Sequence, residues 1–216
     1  LVGLTNLVFT VLAILFIDKV GRKPLLIFGV SGITICMFLL SYAFSNATYT
    51  LQPDTVTELP AEINQQQLSA MVGTVYDNDL DYKQALAETL GEDTAQVYES
   101  QLITTAADIN ATLILICILG FVASFAISLG PIMWVLFSEI FPNYIRGLAI
   151  SFVGVINSAV SFGVQLVFPW ELANFGSSVT FLIYGLFAAA GLLFILRVVP
   201  ETKGKSLEEL EIYLAK

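Results

Sequence analysis

Histidine is absent from the 216-residue chain, and only two cysteines are present, Cys36 and Cys117. Both cysteines lie in apolar stretches, where we interpret them as small buried residues; a disulfide or a metal site is the alternative. Without histidine, and with no nucleophile paired to a base, the sequence lacks the arrangements typical of an active site. We therefore expect a protein that is not an enzyme and that uses neither a metal ion nor a cofactor.

Charge is also scarce. Charged residues make up 12% of the chain, whereas hydrophobic residues make up 56%; soluble proteins carry about 25% charged residues. The few basic residues form no face that could follow a phosphate backbone, so nucleic-acid binding is excluded. The composition indicates a membrane protein, with the lipid bilayer as its surroundings.

Five apolar runs make up most of the chain, and none has an ionisable residue in its interior. A helix needs about 20 residues to cross roughly 30 Å of hydrocarbon, so four of the runs are long enough to be membrane spans. The first looks truncated, and because the chain starts without methionine we expect an interior piece of a longer polypeptide. The sequence thus predicts an all-α, polytopic membrane helical bundle. The runs are 1–17, 25–45, 109–137, 148–168 and 178–199.

The basic residues predict the orientation of these spans. Eight of the nine lie at the end of the first, third or fifth run or follow it, and alternating crossings place these ends on one side of the membrane. Positively charged connections stay cytoplasmic, so we expect a protein of the cell membrane, the inner membrane of a bacterium, with a cytoplasmic C-terminus. The chain then divides into two membrane helices (1–45), an acidic loop outside (46–108), three membrane helices (109–199) and a cytoplasmic tail (200–216).

The segment 46–108 holds 11 of the 18 acidic residues and is too long for an ordinary connection. It carries helix start and stop signals, from which we expect two or three short helices in an acidic cap. A solvated, tolerated insertion is the plainer interpretation, and guiding a ligand or binding a partner is the alternative. The signals are Pro60 before a first helix, Asp81 and Gly91 around a second, and Asp93 or Thr94 opening a third towards Ala107.

Three charged corners lie on the predicted cytoplasmic side. In DKVGRK, Asp18 and Arg22 stand four residues apart across a glycine, a spacing that suits a tight charged turn. An ordinary basic loop would explain Arg22 but not Asp18. SEIFPNYIRG offers Glu139 and Arg146 beside a proline, and VPETKGKSLEELE places Glu201 after the last run, before a predicted amphipathic helix. Together the three corners are typical of opposite charges that pair and separate when a protein changes conformation.

A helix break precedes the second of these corners. The stretch GPIMW ends a long apolar run with Gly130 and Pro131, followed by Trp134. Glycine and proline let a helix bend and let the backbone approach a cavity. We therefore expect a broken membrane helix that runs into a charged hinge.

In this order and spacing, DKVGRK, GPIMW followed by SEIFPNYIRG, and PETKGKSLEEL resemble the C-terminal half of the sugar porters of the major facilitator superfamily. The likeness is greatest to bacterial xylose–proton symporters and, more distantly, to animal glucose facilitators. It implies the major facilitator fold, with the first run as the eighth of twelve helices and the N-terminal half missing. It also implies alternating-access transport of a neutral monosaccharide, a hexose or a pentose, with a proton as the coupling partner; facilitated diffusion is the alternative.

Two amides lie deep in the predicted spans. At about 1.5 Å per helical residue, Asn6 lies roughly 18 Å from Asp18, and Asn157 roughly 16 Å from Arg146, which places both amides near the membrane midplane. Polar side chains at this depth usually face the bundle or a wet cavity. A bond between helices, about 0.6 kcal/mol on average, is the alternative.

The resemblance implies where a sugar would bind. Amides offer both donors and acceptors to hydroxyl groups, and Trp134 offers a flat apolar wall with one N–H. An anchor at the membrane interface is the alternative role for Trp134. The implied sugar contacts are Asn6, Phe125, Gly130, Trp134 and Asn157.

The resemblance also implies an inner gate, whose charges pair with each other or with the missing half and separate when the cavity opens inward. Many relatives carry tryptophan after the amide of the eleventh helix, where this chain has Ser158, which leaves the sugar open. An inositol or polyol transporter of the same fold is one alternative. A non-transporting sugar sensor is another, although a sensor is expected to carry a longer cytoplasmic tail. The implied gate residues are Asp18, Arg22, Glu139, Arg146 and Glu201.

Overall fold

The computed structural model describes residues 1–53, 56, 63, 65–205 and 209 of the chain. Among these residues, four helical stretches are long and apolar enough to cross a membrane: Val2–Val20, Arg22–Ser45, Ala111–Ile140 and Arg146–Arg197. The last is 52 residues long and holds both the fourth and the fifth predicted span. The connection expected at 170–177 is therefore helical, and the helix is interrupted only at Gly176, with φ 74° and ψ 171°.

The helices are α1 (Val2–Val20), α2 (Arg22–Ser45), α3 (Gln65–Leu68), α4 (Asp79–Leu90), α5 (Glu92–Ala106), α6 (Ala111–Ile127), α7 (Leu129–Ile140) and α8 (Arg146–Arg197). Three short strands, β1 (Thr48–Thr50), β2 (Val75–Tyr76) and β3 (Ala107–Asp108), lie between α2 and α6 in the sequence. The chain forms two compact units. The bundle unit comprises Leu1–Leu39, Leu115–Pro169 and Leu182–Lys216, and the sheet unit comprises Leu40–Ile114 and Trp170–Phe181.

The bundle unit has an apolar core to which α1, α2, α7 and α8 each contribute. Two glycines of α2 also let the end of α6 and the residue after it approach closely. A β-carbon on Gly32 would overlap the side chain of Ser124 in α6, and one on Gly29 would overlap that of Ser128, which follows α6. Small residues commonly allow this spacing between membrane helices. The core residues are Ile17, Leu25, Leu26, Val30, Ile132, Leu136 and Ile195.

The predicted helix break lies at Ser128, where the backbone leaves the helical region between α6 and α7, two residues before the expected Gly130-Pro131 pair. The fully buried Ser128 hydroxyl donates to the Ser124 carbonyl at 2.6 Å. Pro131 falls in the first turn of α7, where a backbone N–H would have no partner within the helix, so the proline does not interrupt α7.

The sheet unit has a core of its own. Its antiparallel sheet has the strand order β2-β1-β3, with Tyr49 opposite both Tyr76 and Ala107. The side chains of Tyr82, Leu86 and Leu102, from α4 and α5, are fully buried against this sheet. Most of the segment 46–108 is therefore a folded part of the protein, with strands that the sequence did not predict.

The helix signals of this segment were partly correct. Gly91 ends α4 as predicted, but the cap at its start is Asn78, whose side chain accepts a hydrogen bond from the Asp81 amide. The next helix begins at Glu92, one residue before Asp93. Pro60, where the first helix was predicted to start, lies outside the described residues, and so does most of the helix predicted after Glu201. α3 falls within the helix that was predicted to follow Pro60.

Candidate functional site

Arg22, the first residue of α2, is the centre of a group of charged contacts in the bundle unit. Its guanidinium donates from Nη2 and Nε to Oε1 of Glu139, at 2.8 and 3.2 Å. The same Nη2 lies 3.1 Å from Oδ1 of Asp18, and Nη1 donates to the carbonyl of Ile17 at 3.4 Å. One side chain thus joins the end of α1, the start of α2 and the last turn of α7.

The two ion pairs of Arg22 differ in their exposure. The side chains of Arg22 and Glu139 are 13% and 19% exposed, whereas that of Asp18 is 79% exposed. An exposed pair contributes about 0–1 kcal/mol, but removal of one partner from a buried pair costs about 3–5 kcal/mol. Glu139 is therefore the partner that holds Arg22, and Asp18 adds little.

Glu201 reaches the same place from the segment after α8. Its carboxylate accepts hydrogen bonds from the backbone amides of Arg22 and Lys23, at 3.1 and 3.2 Å, and of Lys203, at 2.9 Å. The first amides of a helix lack partners and carry the positive end of the helix dipole, so a carboxylate is favoured there. Glu201 thus caps α2.

Gly21 makes this cap sterically feasible. Its φ of 111° lies in the region that favours glycine. A β-carbon there would stand 2.7 Å from Oε2 of Glu201, closer than real side chains approach. The glycine between Asp18 and Arg22 is therefore required both by the turn and by the carboxylate.

Thr202 is a member of this cluster that the sequence did not predict. It is 3% exposed, and its hydroxyl donates to Oε2 of Glu139 at 2.6 Å. Lys23 Nζ donates to the carbonyl of Leu196 in the last turn of α8 at 3.0 Å, and Lys203 Nζ donates to the carbonyl of Lys19. The only signal for Thr202 was its position next to Glu201. We call this group the Arg22 cluster: Asp18, Gly21, Arg22, Lys23, Glu139, Glu201, Thr202 and Lys203.

Among the described residues, Arg146 forms no hydrogen bond or ion pair with a member of this cluster. It begins α8, and its Nε donates to the carbonyl of Phe141, in its own turn, at 3.2 Å. The structure therefore brings together Asp18, Arg22, Glu139 and Glu201, while the described contact of Arg146 is local.

A second group of candidate residues lies around Trp134 of α7. The indole is 42% exposed and meets the ring of Phe137 edge-on at 6.3 Å. A β-carbon on Gly154 of α8 would stand 4.0 Å from Cη2 of Trp134, so the indole lies close to that helix. Asn157 follows Gly154 by three residues, which places it on the same face of α8, and it is exposed.

Phe125 and Gly130 meet at the helix break. A β-carbon on Gly130 would stand 3.5 Å from the Phe125 carbonyl oxygen and 3.7 Å from its ring. The Phe125 ring is 42% exposed, and Gly130 lies one helical turn before Trp134. The break thus places an exposed aromatic ring beside the start of α7.

Asn6 is an exposed residue of α1, the helix that packs against α7. Its Oδ1 accepts a hydrogen bond from the Thr10 hydroxyl at 3.2 Å. Among the described residues, no hydrogen bond joins Asn6 to the Trp134 group. The exposed amides of Asn6 and Asn157 suit hydrogen bonding to a neutral ligand, and the exposed rings of Phe125 and Trp134 suit stacking on one.

Most of this chain matches a known protein family. A family model described as "Sugar (and other) transporter" matches residues 1–55 and 95–214. The unmatched residues 56–94 lie within the acidic segment and include α3, β2 and the whole of α4.

Several curated proteins align over nearly the whole chain. The D-xylose-proton symporter of Escherichia coli K12 is 35% identical over 98% of this chain and 32% of its own length. The facilitated glucose transporter member 10 of Danio rerio is 31% identical over 97% of this chain and 38% of its own length. The arabinose-proton symporter of Bacillus subtilis is 29% identical over 98% of this chain and 32% of its own length.

Solved structures of two transporters are also similar to this chain. The proton:xylose symporter bound to 6-bromo-6-deoxy-D-glucose, described as a major facilitator superfamily protein, matches with a TM-score of 0.64 and 33% identity over 98% of this chain and 33% of its own. The inward-open xylose transporter of E. coli matches with a TM-score of 0.64 and 33% identity over 98% of this chain and 34% of its own. The chain thus spans about a third of the length of the relatives it matches.

Proposed function

Because the chain belongs to the sugar porter family of the major facilitator superfamily, we propose that it supplies the C-terminal half of a secondary transporter. This transporter moves a neutral monosaccharide, a hexose or a pentose, across the membrane by alternating access. The Arg22 cluster is the observation that carries the proposal. Its contacts join three segments distant in sequence through charged groups that can part and meet again in each cycle.

The sugar binds at the Trp134 group and the two amides in this proposal. Asn6 and Asn157 hydrogen-bond to sugar hydroxyls, Trp134 and Phe125 pack on the apolar ring faces, and Gly130 leaves room for the ligand. Exposure of both amides and both rings supports this assignment. A neutral polyhydroxylated ligand needs donors, acceptors and flat apolar surfaces, which these residues provide.

The Arg22 cluster is the inner gate of the proposal, on the cytoplasmic side with the C-terminus. Asp18, Arg22, Glu139 and Glu201 hold each other when the cavity faces outward, and Arg146 pairs with the N-terminal half. The segment 46–108 then lies outside the membrane, which is the inner membrane in a bacterium. A proton is the coupling ion, which is supported by the similarity to a D-xylose-proton symporter and an arabinose-proton symporter.

Uptake by the full-length transporter in proteoliposomes tests the function. Labelled xylose, glucose and inositol are offered with and without an inward proton gradient. We expect uptake of xylose or glucose that the gradient stimulates. Uptake indifferent to the gradient would contradict proton symport, uptake of inositol alone would make the protein a polyol transporter, and uptake of none would contradict transport of these sugars.

Two substitutions test the sugar site. Asn157→Ala and Trp134→Ala should each raise the Kd for the sugar about tenfold, because each removes a contact worth about 1–1.5 kcal/mol. Gln165→Ala, which removes another exposed amide from α8, is the matched control and should leave the Kd unchanged. Binding is measured by titration in detergent, and an unchanged Kd in both test variants would contradict the assignment.

A further inference from the structure

Asp79, in the acidic segment, bonds to the helix break at Gly176. Its Oδ2 accepts hydrogen bonds from the amide of Ser177 at 2.9 Å and from the hydroxyl of Ser177 at 2.7 Å. Ser177 opens the helical stretch 177–197 after the interruption of α8. A carboxylate at the start of a helical stretch satisfies an amide and complements the dipole. Asp79 therefore acts as a cap supplied from a distant part of the sequence.

Asp79 is buried, at 8% exposure. A buried carboxylate is costly unless hydrogen bonds satisfy it, so the two bonds to Ser177 are a condition for its burial. A solvated acid of a tolerated insertion would have no reason to be buried in this way.

The backbone at Gly176 is shaped for this contact. Its φ of 74° favours glycine, and a β-carbon there would stand 2.6 Å from Oδ1 of Asp79. The carbonyl of Gly176 accepts from the fully buried hydroxyl of Thr180 at 2.8 Å. Any side chain at position 176 would displace the carboxylate.

The same turn is fastened to the end of α2. The hydroxyl of Ser41 donates to the carbonyl of Ser178 at 2.8 Å, and the hydroxyl of Ser178 donates to the carbonyl of Ser41 at 3.0 Å. The rings of Phe44 and Phe181 stack at 5.4 Å. These contacts make the start of the stretch 177–197 an integral part of the sheet unit.

Asp79 is the first residue of α4, and this helix contributes Tyr82 and Leu86 to the core of the sheet unit. Burial, with the Asp79 carboxylate as a second cause, raises the pKa of Tyr49 to about 12, so this phenol stays protonated. Tyr49 stacks on Tyr82 at 5.7 Å, and the Tyr82 hydroxyl donates to the Leu102 carbonyl at 3.2 Å. Asp79 thus connects a packed aromatic core to the break in α8.

We propose that Asp79 is a positioning residue for transport, which ties the acidic segment to the first turn of the helical stretch 177–197. We call the two hydrogen bonds from Ser177 to Asp79 the clasp. Because of the clasp, the sheet unit and the turn at Gly176 move as one piece when the transporter changes conformation. The segment 46–108 is then a working part of the transporter. The inference rests on the proposed function.

The test compares Asp79→Ala and Asp79→Asn with Asp93→Asn in the reconstituted full-length transporter. Asp93 is an exposed acid in the first turn of α5, so its substitution removes a charge from the acidic segment and leaves the clasp intact. Asp79→Ala should lower the maximal uptake rate about tenfold, since it removes hydrogen bonds to a charged group. The KM should change less than about twofold, because Asp79 does not touch the sugar. Asp79→Asn keeps an acceptor oxygen and should recover part of the rate.

Hydrogen exchange of the amides of residues 177–180, followed by mass spectrometry, provides a second measurement. Exchange should be faster in Asp79→Ala and unchanged in Asp93→Asn. If Asp79→Ala does not reach the membrane, Ser177→Ala, which removes only the hydroxyl donor, should show the same changes to a smaller degree.

Three results would overturn the inference. Faster exchange with an unchanged uptake rate would make Asp79 a merely structural residue, and a rate equal to that of Asp93→Asn would show that the clasp has no effect. A rise in KM with an unchanged rate would place Asp79 in sugar binding instead. A parent protein that moves none of the tested sugars would overturn the proposed function itself, and with it any transport role of Asp79.

Discussion

The turn at Gly21 and the turn at Gly176 are built alike and differ in their charge. In each, a glycine of positive φ precedes a helical stretch, and a carboxylate from a distant part of the sequence bonds to the first amides of that stretch. At Gly21 the carboxylate is Glu201, which lies among three cations and two further acids, Asp18 and Glu139. At Gly176 it is Asp79, bonded to a neutral amide and a neutral hydroxyl.

This difference indicates which turn opens. When the groups of the Arg22 cluster separate, their charges can find water or other ions, since Asp18 and Lys203 are exposed. Opening the clasp would leave a buried carboxylate without partners, which costs more than the bonds themselves contribute. We therefore expect the Arg22 cluster to part during transport and the clasp to stay closed.

Arg22→Ala should have the largest effect of the substitutions that test this comparison. It leaves Glu139 shielded and without its cation, at a cost of about 3–5 kcal/mol in the conformation that contains the pair. The population should shift towards the conformation open to the cytoplasm, measured by labelling of cysteines introduced in the inner cavity. Asp18→Asn is the control, and its exposed pair should change labelling little. Equal labelling of Arg22→Ala and the parent would contradict the gate.

Gly176→Ala and Gly21→Ala should have the next largest effects. Each combines backbone strain of about 1–3 kcal/mol with a close approach to a carboxylate oxygen, at 2.6 and 2.7 Å. Gly176→Ala should lower the thermal midpoint in every conformation, whereas Gly21→Ala should mainly favour the inward-open one. Gly147→Ala, where a β-carbon meets nothing within 4 Å, is the control. Identical behaviour of the two test variants would remove the distinction between the turns.

Thr202→Val and Thr180→Val compare single hydroxyl groups at the two turns. Thr202 donates to a carboxylate and Thr180 to a neutral carbonyl, and both are buried. The free energy of unfolding should fall by about 1.5–3 kcal/mol in Thr202→Val and by about 0.5–1.5 kcal/mol in Thr180→Val. Thermal unfolding in detergent measures both. A larger loss at Thr180 would reverse the assignment of the stronger bond to Thr202.

Lys83→Gln should have the smallest effect. Lys83 and Glu99 form an ion pair at 2.8 Å in the sheet unit, with side chains 22% and 41% exposed. An exposed pair of this kind contributes about 0–1 kcal/mol, so neither the thermal midpoint nor the uptake rate should change measurably. A loss of stability in Lys83→Gln as large as the cost of about 3–5 kcal/mol expected for Arg22→Ala would mean that the strength of these pairs depends on distance and not on shielding from water.

The sequence predicted those features that depend on local pattern. Long apolar runs without charge become helices in any apolar surroundings, which is why the membrane-capable helices appear where expected. Opposite charges in the connections that were predicted to share one side of the membrane also predicted that Arg22 has acidic neighbours. The exact partner did not follow, because Glu139 lies 117 residues away and only tertiary packing chooses between it and Asp18.

Features that depend on distant contacts were missed for the same reason. Asp79 belongs to a strongly acidic segment, where every carboxylate looks solvated, and its partner Ser177 is 98 residues away. The strands of two or three residues are too short to show an alternating pattern. Gly130-Pro131 marked the broken helix, but the position of the break depends on how Ser128 packs against Gly29 of α2.

The cap that Glu201 places on α2 has a consequence for biosynthesis. Glu201 lies 179 residues after Arg22, so the ribosome must complete nearly all of this chain before the first amides of α2 receive their carboxylate. At about 5–20 residues per second, α2 waits on the order of ten seconds or longer with this end uncapped. The Arg22 cluster is therefore completed late in the synthesis of this chain, and its closure marks a chain in which α8 is already made.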